Sequence, residues 1–125
     1  MGFDYSSFVP LHIHTEYSLL DGASNISELV ARAKELNMPA IAITDHGTMS
    51  GVVKFFSECK SAGIKPIIGC EVYTAERTMH DKDAALDRKS GHLVLLAKNE
   101  TGYKNLIKIV SDAYAEVFYY NPRTD

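Results

Sequence analysis

Apolar residues along this chain fall into short strand-length runs separated by stretches with helical spacing, and that alternation predicts a βα architecture. Phe8 to Ile13, Ala40 to Thr44, Ile67 to Thr74 and His92 to Ala97 read as strands. The second, Ala-Ile-Ala-Ile-Thr, is apolar almost throughout, as in a parallel-sheet strand covered on both faces. A first helix carries Ile26, Leu29, Val30, Ala33 and Leu36, with Asn25 or Ser27 as N-cap, and Pro39 stops it near Asn37. A second places Val52, Val53, Phe56 and Cys59 on one stripe and leaves at Ala62-Gly63. The third and longest turns Leu106, Ile107, Val110, Ala113, Tyr114 and Val117 inward. These stripes are core packing. Strands alternating with helices imply right-handed crossovers and a parallel sheet, open or closed into a barrel. Working residues in such folds gather at the C-terminal ends of the strands.

Between the third and fourth strands, Glu76 to Ser90 is polar, charge-rich and aperiodic, and reads as a mobile excursion. His80 within it reads as a solvated residue.

Length and composition narrow the class. At 125 residues the chain is one domain at most. A hydrophobic share of 46% with 23% charged residues is ordinary for a globular protein. The net charge of −3 speaks against autonomous tight binding of nucleic acid, although bound divalent cations would offset it locally. Cys59 and Cys70 form no C-x-x-C pair and read as buried small hydrophobes in a reducing compartment, the cytoplasm. Met1 to Ser6 lacks the basic and apolar regions of a secretory signal, and its M-G-x-x-x-S match to the myristoylation pattern reads as chance. Asn25-Ile26-Ser27 and Asn99-Glu100-Thr101 match the glycosylation acceptor without an export signal to make use of it. No apolar stretch approaches the roughly 20 residues that cross a bilayer.

The chemistry sits at the strand ends. His12 and His14, two apart on a strand, leave the same face and can grip one ion. An H-x-H alone is as consistent with two half-exposed histidines as with a metal. Asp45 and His46 close an apolar strand, where ionisable groups are costly unless paired or coordinated. Asp45 reads either as a ligand or as the group that orients the second nitrogen of His46. Gly47 lets the chain turn sharply. Glu71 is a charge on another apolar strand, with Lys65 as the alternative partner. Asp21 taken alone reads as a turn residue. His92 stands at the start of its strand, the wrong end in a simple parallel arrangement.

His12-Ile13-His14-Thr15-Glu16-Tyr17-Ser18-Leu19-Leu20-Asp21-Gly22 and Ala42-Ile43-Thr44-Asp45-His46-Gly47 resemble the polymerase and histidinol phosphatase (PHP) domain. Lys65 to Glu71 and His92 to Leu106 look, more narrowly, like the N-terminus of bacterial DNA polymerase III alpha subunits, and the resemblance runs from about Phe8 to the C-terminus. It implies an α/β fold in which parallel βα units form the first part of a distorted (β/α)7 barrel. Residues 1–125 would then be the N-terminal part of a metallohydrolase domain within a longer replicase. The implied cofactors are divalent ions, Zn2+ or else Mn2+ or Fe2+, up to three in the complete domain. The implied ligands are His12, His14, Asp21, His46, Glu71 and His92, completed by a cysteine and an Asp-x-His pair beyond Asp125. Asp45 and His46 would be the catalytic pair, with Asp45 tuning His46. The implied activity is metal-dependent 3′–5′ exonuclease chemistry inside a DNA-directed DNA polymerase. DNA and other replicase subunits would be the partners, with no membrane. Arg123 reads as a C-terminal surface arginine. A stand-alone phosphoesterase acting on a small phosphate monoester, and a non-catalytic brace of the replicase, are the alternatives.

Overall fold

The computed structural model describes residues 4–19 and 21–125. Part of the Met1–Ser6 pattern and Leu20 of the first motif lie outside them. The elements run α1 (Ile26–Glu35), β1 (Ala40–Ile43), α2 (Val52–Ala62), β2 (Lys65–Ala75), β3 (Ser90–Leu96), α3 (Glu100–Ala115) and β4 (Arg123–Thr124).

The expected strand over Phe8 to Ile13 is extended chain without a regular ladder. Pro10 has no N–H to give, so only its carbonyl joins β1, accepting from Ala42 N at 3.1 Å. Ile13 accepts from Thr44 N at 2.9 Å, but donates its own N–H to the Thr44 hydroxyl. The segment is held alongside β1 all the same.

α1 begins at Asn25, whose side chain accepts from the N–H groups of Ser27 and Glu28. Its buried face is Ile26, Val30 and Ala33. α2 ends at Gly63, which takes a left-handed φ of 76°. The core stripe of α2 differs from the expected one. Val52, Phe55 and Cys59 are buried, whereas Val53 and Phe56 lie exposed on the neighbouring face. In α3, Leu106 and Ala113 are buried and Ile107 and Tyr114 are exposed. The error is the same in both helices: apolar positions spread over more than one face, and the sheet covers only part of them. α1 and α2 pack on β1 through Ile41 and Ile43, and α3 packs on Cys70 and Val72 of β2 through Leu106. Both cysteines are buried and unpaired, as expected.

β1 and β2 are parallel, with Ala40 opposite Lys65 and Ile43 opposite Ile68. β2 and β4 are also parallel, Tyr73 opposite Arg123. The fold class therefore agrees with the sequence, but one pairing does not follow the crossover rule. β3 is antiparallel to β2, with Tyr73 opposite His92 and Glu71 opposite Val94. Residues 76–89 are thus the connection of a long hairpin.

That connection is not a loose excursion. Arg77 donates through Nε and Nη2 to the two oxygens of Asp87, at 2.8 and 2.6 Å. Asp87, fully buried, also accepts from Asp83 N at 2.7 Å. Arg123 is buried rather than a surface residue, at 1% exposure. Its guanidinium donates to the carbonyls of Met79, Asp81 and Asp87, and stacks over the Tyr119 ring. A five-donor fork can close three carbonyls of one connection at once, which makes burial of this charge tolerable. His80 stays exposed, as the sequence implied.

The clasp carries a pH dependence. The Arg77 guanidinium beside it holds the Asp87 carboxyl at about 2, against the opposing effect of burial. The folded value lies below the ordinary carboxylate value of about 3.9. The stabilisation is therefore complete above that ordinary value and is lost as pH falls towards about 2. Asp87→Asn is expected to reduce the slope of unfolding free energy against pH in that window by roughly one proton equivalent. Denaturant unfolding at a series of acidic pH values reads it, and an unchanged slope would contradict the clasp.

Candidate metal centre

The main chain of the sheet sets His46, Glu71 and His92 side by side. The ladder of β1 continues past its end, because Glu71 N donates to Asp45 O at 3.0 Å and Gly47 N donates to Glu71 O at 2.9 Å. His46 is thereby set beside Glu71. Gly47 makes the turn, with φ at 59°, and a Cβ there would meet Pro122 and the Tyr73 ring at about 3 Å. On β2, Glu71 and Tyr73 are two apart and share a face. His92 pairs with Tyr73 across the antiparallel ladder and so joins that face. The antiparallel pairing answers the difficulty the sequence posed: the start of β3 lies at the C-terminal half of β2.

Glu71 is the hub. One of its oxygens meets His12 Nε2 at 2.5 Å and His14 Nε2 at 2.6 Å, and the other meets His92 Nδ1 at 2.9 Å. His46 Nε2 lies 3.7 Å from Glu71 and 2.8 Å from Asp21 Oδ2. His14 Nδ1 is 3.7 Å from the same Asp21 oxygen. All six nominated ligand residues therefore converge, Asp21 included, although the turn reading was the stronger one for it in isolation. Burial pushes the Glu71 carboxyl up, but the hydrogen bonds with His12, His14 and His92 and the neighbouring His46 outweigh it and hold the group at about 2. It is a carboxylate at neutral pH.

The donor set suits divalent ions. Among the described residues, His12, His14 and Glu71 form one group whose ligand atoms lie within 4.8 Å of one another. His14, Asp21 and His46 form a second, and His46, Glu71 and His92 a third. Each group shares a residue with the next. His12 Nε2 and His14 Nε2 are 3.2 Å apart, and an ion bonded to tetrahedral donors at about 2.1 Å would set them about 3.4 Å apart. His46 Nδ1 is buried without a hydrogen-bond partner among the described residues.

That orphaned nitrogen corrects the reading of Asp45. Neighbouring positions on an extended chain point to opposite faces, so Asp45 turns away from the His46 ring. Its Oδ1 accepts from Thr15 N at 2.5 Å and from the Ser18 hydroxyl at 2.9 Å, and its Oδ2 accepts from the Thr15 hydroxyl at 2.8 Å. Ser18 Oγ in turn accepts from His46 N at 3.0 Å. Asp45 is 1% exposed and anchors the turn that follows His14; it is not a partner of the His46 imidazole. The sequence reading also passed over Tyr73, whose ring stacks on His46 at 5.8 Å and meets the edge of His92 at 5.0 Å. Its spacing of two from Glu71 on a strand was the available clue.

Beside the ligand groups opens a cavity of about 950 Å³, bordered by Asp21, His46 and His92 and by Tyr114 of α3. Among the described residues no helix is long and apolar enough to cross a membrane.

The PHP domain family matches residues 10–125. The DNA polymerase III subunit alpha of Borreliella burgdorferi is 54% identical over 121 residues, 96% of this chain and 10% of that protein. The subunit of the same name from Treponema pallidum is 52% identical over 120 residues, 95% of this chain and 10% of its own length. The chain thus spans about a tenth of the length of these relatives. An amidohydrolase from Chromobacterium violaceum, solved with sulfate and no metal, superposes at a TM-score of 0.56 with 24% identity. The superposition covers 83% of this chain and 34% of that one, and shows the shared fold. The match over 116 of the chain's residues, from position 10 to position 125, makes it a member of the PHP domain family.

Proposed function

We propose that the chain is the PHP segment of a bacterial replicative DNA polymerase alpha subunit, and that its site hydrolyses phosphodiester bonds at the 3′ ends of DNA. The observation that carries the reading is the gathering of four imidazoles and two carboxylates into three overlapping groups beside an open cavity. Relatives bearing the name of the polymerase subunit, at about half identity over nearly the whole chain, support the wider context. Other replicase subunits and a cytoplasmic setting follow from that context.

His12, His14 and Glu71 would hold one ion, Asp21 with His14 and His46 a second, and His92 with Glu71 and His46 a third. Imidazole-rich sets with carboxylates favour zinc, with manganese or iron as the alternatives. When bound, such ions lower the pKa of water and place positive charge against phosphoryl oxygens. The chain's own contribution is positional. Glu71 fixes three rings from its two oxygens, and Tyr73 packs on His46 and His92 and limits their rotation. Asp45 works through Thr15 and Ser18 rather than on the reacting atoms. Of the catalytic pair the sequence suggested, His46 keeps its place and Asp45 becomes a positioning residue.

The test is shortening of end-labelled single-stranded DNA by the full-length parent protein and by its His12→Ala, His14→Ala double variant. The reading expects metal-dependent loss of 3′ nucleotides in the first and none in the second. Equal degradation by both would overturn it.

A further inference from the structure

The cavity beside the ligand groups is lined by residues of two chemistries. Asp21, His46 and His92 belong to the metal groups. α3 supplies Val110, Ser111 and Tyr114, and the chain after Gly47 supplies Met49. Among the described lining residues there is no lysine or arginine, so no side-chain cation meets a phosphate away from the ligand groups. Three tyrosines stand in the wall: Tyr17 packs against the core of α1 and α2, Tyr73 packs on His46 and His92, and Tyr114 is exposed, with apolar residues and a few hydroxyls completing the lining. About 950 Å³ is far more than one phosphoryl group needs and falls within the range of sites that enclose whole organic ligands.

Tyr114 stands apart from the hydrogen-bonded ligand network. It is 51% exposed, and its ring contact is with Phe118 at 6.0 Å, tilted by 41°. A half-exposed tyrosine on a helix gains little for the core, yet it offers a rigid face with two side-chain torsions to a planar ligand. Aromatic faces accept any base, because every base has a π-face.

We propose that Tyr114 is a stacking residue for the base of the 3′-terminal nucleotide, whose phosphate lies towards Asp21, His46 and His92. This deepens the hydrolytic reading and rests on it for the placement of the phosphate. It makes the substrate a nucleotide end with its base, chosen without regard to sequence, in place of a small phosphate monoester. Met49 and Val110 flank the base, and the Ser111 hydroxyl is within the same wall.

The test uses the full-length parent protein and a single-stranded oligonucleotide ending in 2-aminopurine, with a phosphorothioate as its last linkage to prevent cleavage. Stacking on the tyrosine ring quenches the 2-aminopurine fluorescence, so binding is read without catalysis. Tyr114→Ala is expected to weaken the quenched complex roughly 5- to 150-fold, the range that loss of one base–aromatic stack gives. Tyr114→Phe keeps the ring and should bind as the native protein does. An oligonucleotide whose last residue is abasic, its binding followed by fluorescence anisotropy of a 5′ label, should bind native protein and Tyr114→Ala equally. Quenching unaltered by Tyr114→Ala, or an equal loss on the abasic strand, would overturn the subsite. The two readings fail separately: a native protein that quenches but never shortens ordinary DNA overturns the hydrolysis and leaves the subsite. Shortening that Tyr114→Ala leaves unchanged in KM and kcat overturns the subsite alone.

Discussion

Joint replacement of His12 and His14 by alanine in the full-length parent is expected to lower 3′-end hydrolysis by more than about 100-fold while polymerisation remains measurable. The size follows from what the two rings do. Residues that only support metal ligands are worth about 10- to 100-fold in metal affinity, and two direct donors removed from one ion must exceed that. Both rings share a single oxygen of Glu71, so their removal empties one side of the hub and leaves His92 on the other. The fold should survive, because His12 is half exposed at 54% and lies outside the apolar clusters. Near-native circular dichroism with lost hydrolysis is the expected pair of readings. Hydrolysis within a few-fold of native would remove these histidines from the chemistry.

Arg123→Ala is the other change with a large expected effect, on stability. The guanidinium is buried and closes three carbonyls of the connection between β2 and β3. Truncating it strands those carbonyls and removes positive charge from near Asp87, whose remaining cation is Arg77. Leaving a buried polar group without its partner costs about 1–3 kcal/mol, and Arg123→Ala does this to more than one carbonyl, so a loss of a few kcal/mol is expected. Arg123→Lys should recover little of this, since one ammonium cannot span three carbonyls in the geometry of the fork. The loss also reaches the site. β4 is held to β2 at Tyr73 and Thr74, and Pro122 lies where any side chain at Gly47 would go. Urea unfolding with a lowered midpoint and an unchanged m-value is the expected result. A midpoint near that of the native chain would mean the arginine is a passenger.

The full candidate ligand set came from the family resemblance; on the residues alone Asp21 reads as a turn former and His92 as misplaced, and periodicity marks only the other four positions. His12 and His14 show the spacing of two, and an acid or imidazole on an apolar strand stands out at Glu71 and His46. The helix exit at Gly63 was legible for the same local reason, and the N-cap at Asn25 was one of the two candidates, with Ser27 the other. The direction of β3 was not. Crossover logic assumes that a strand pair separated by a long segment is parallel, and the polar run from Glu76 to Ser90 gave no hint that it was tied across by Arg77, Asp87 and Arg123. His92, an imidazole at the apparently wrong end of a strand, was the one local trace of the antiparallel pairing. The burial of Arg123 could not be read at all, because its partners are main-chain carbonyls some forty positions away. Asp45 was a different kind of error. Alternation along the chain already placed it on the face opposite His46, and the expectation that it orients that ring ignored this.

The central claim, that Glu71 and the histidines around it hold divalent ions, is tested most directly by anomalous scattering from crystals of the intact domain, recorded at the absorption edges of zinc, manganese and iron. Peaks within about 2.0–2.3 Å of the ligand atoms of His12, His14 and Glu71, and of the groups that share His46, are the predicted result. Crystals grown with these metals that show ordered His12, His14, His46, Glu71 and His92 and no anomalous density between them would contradict it.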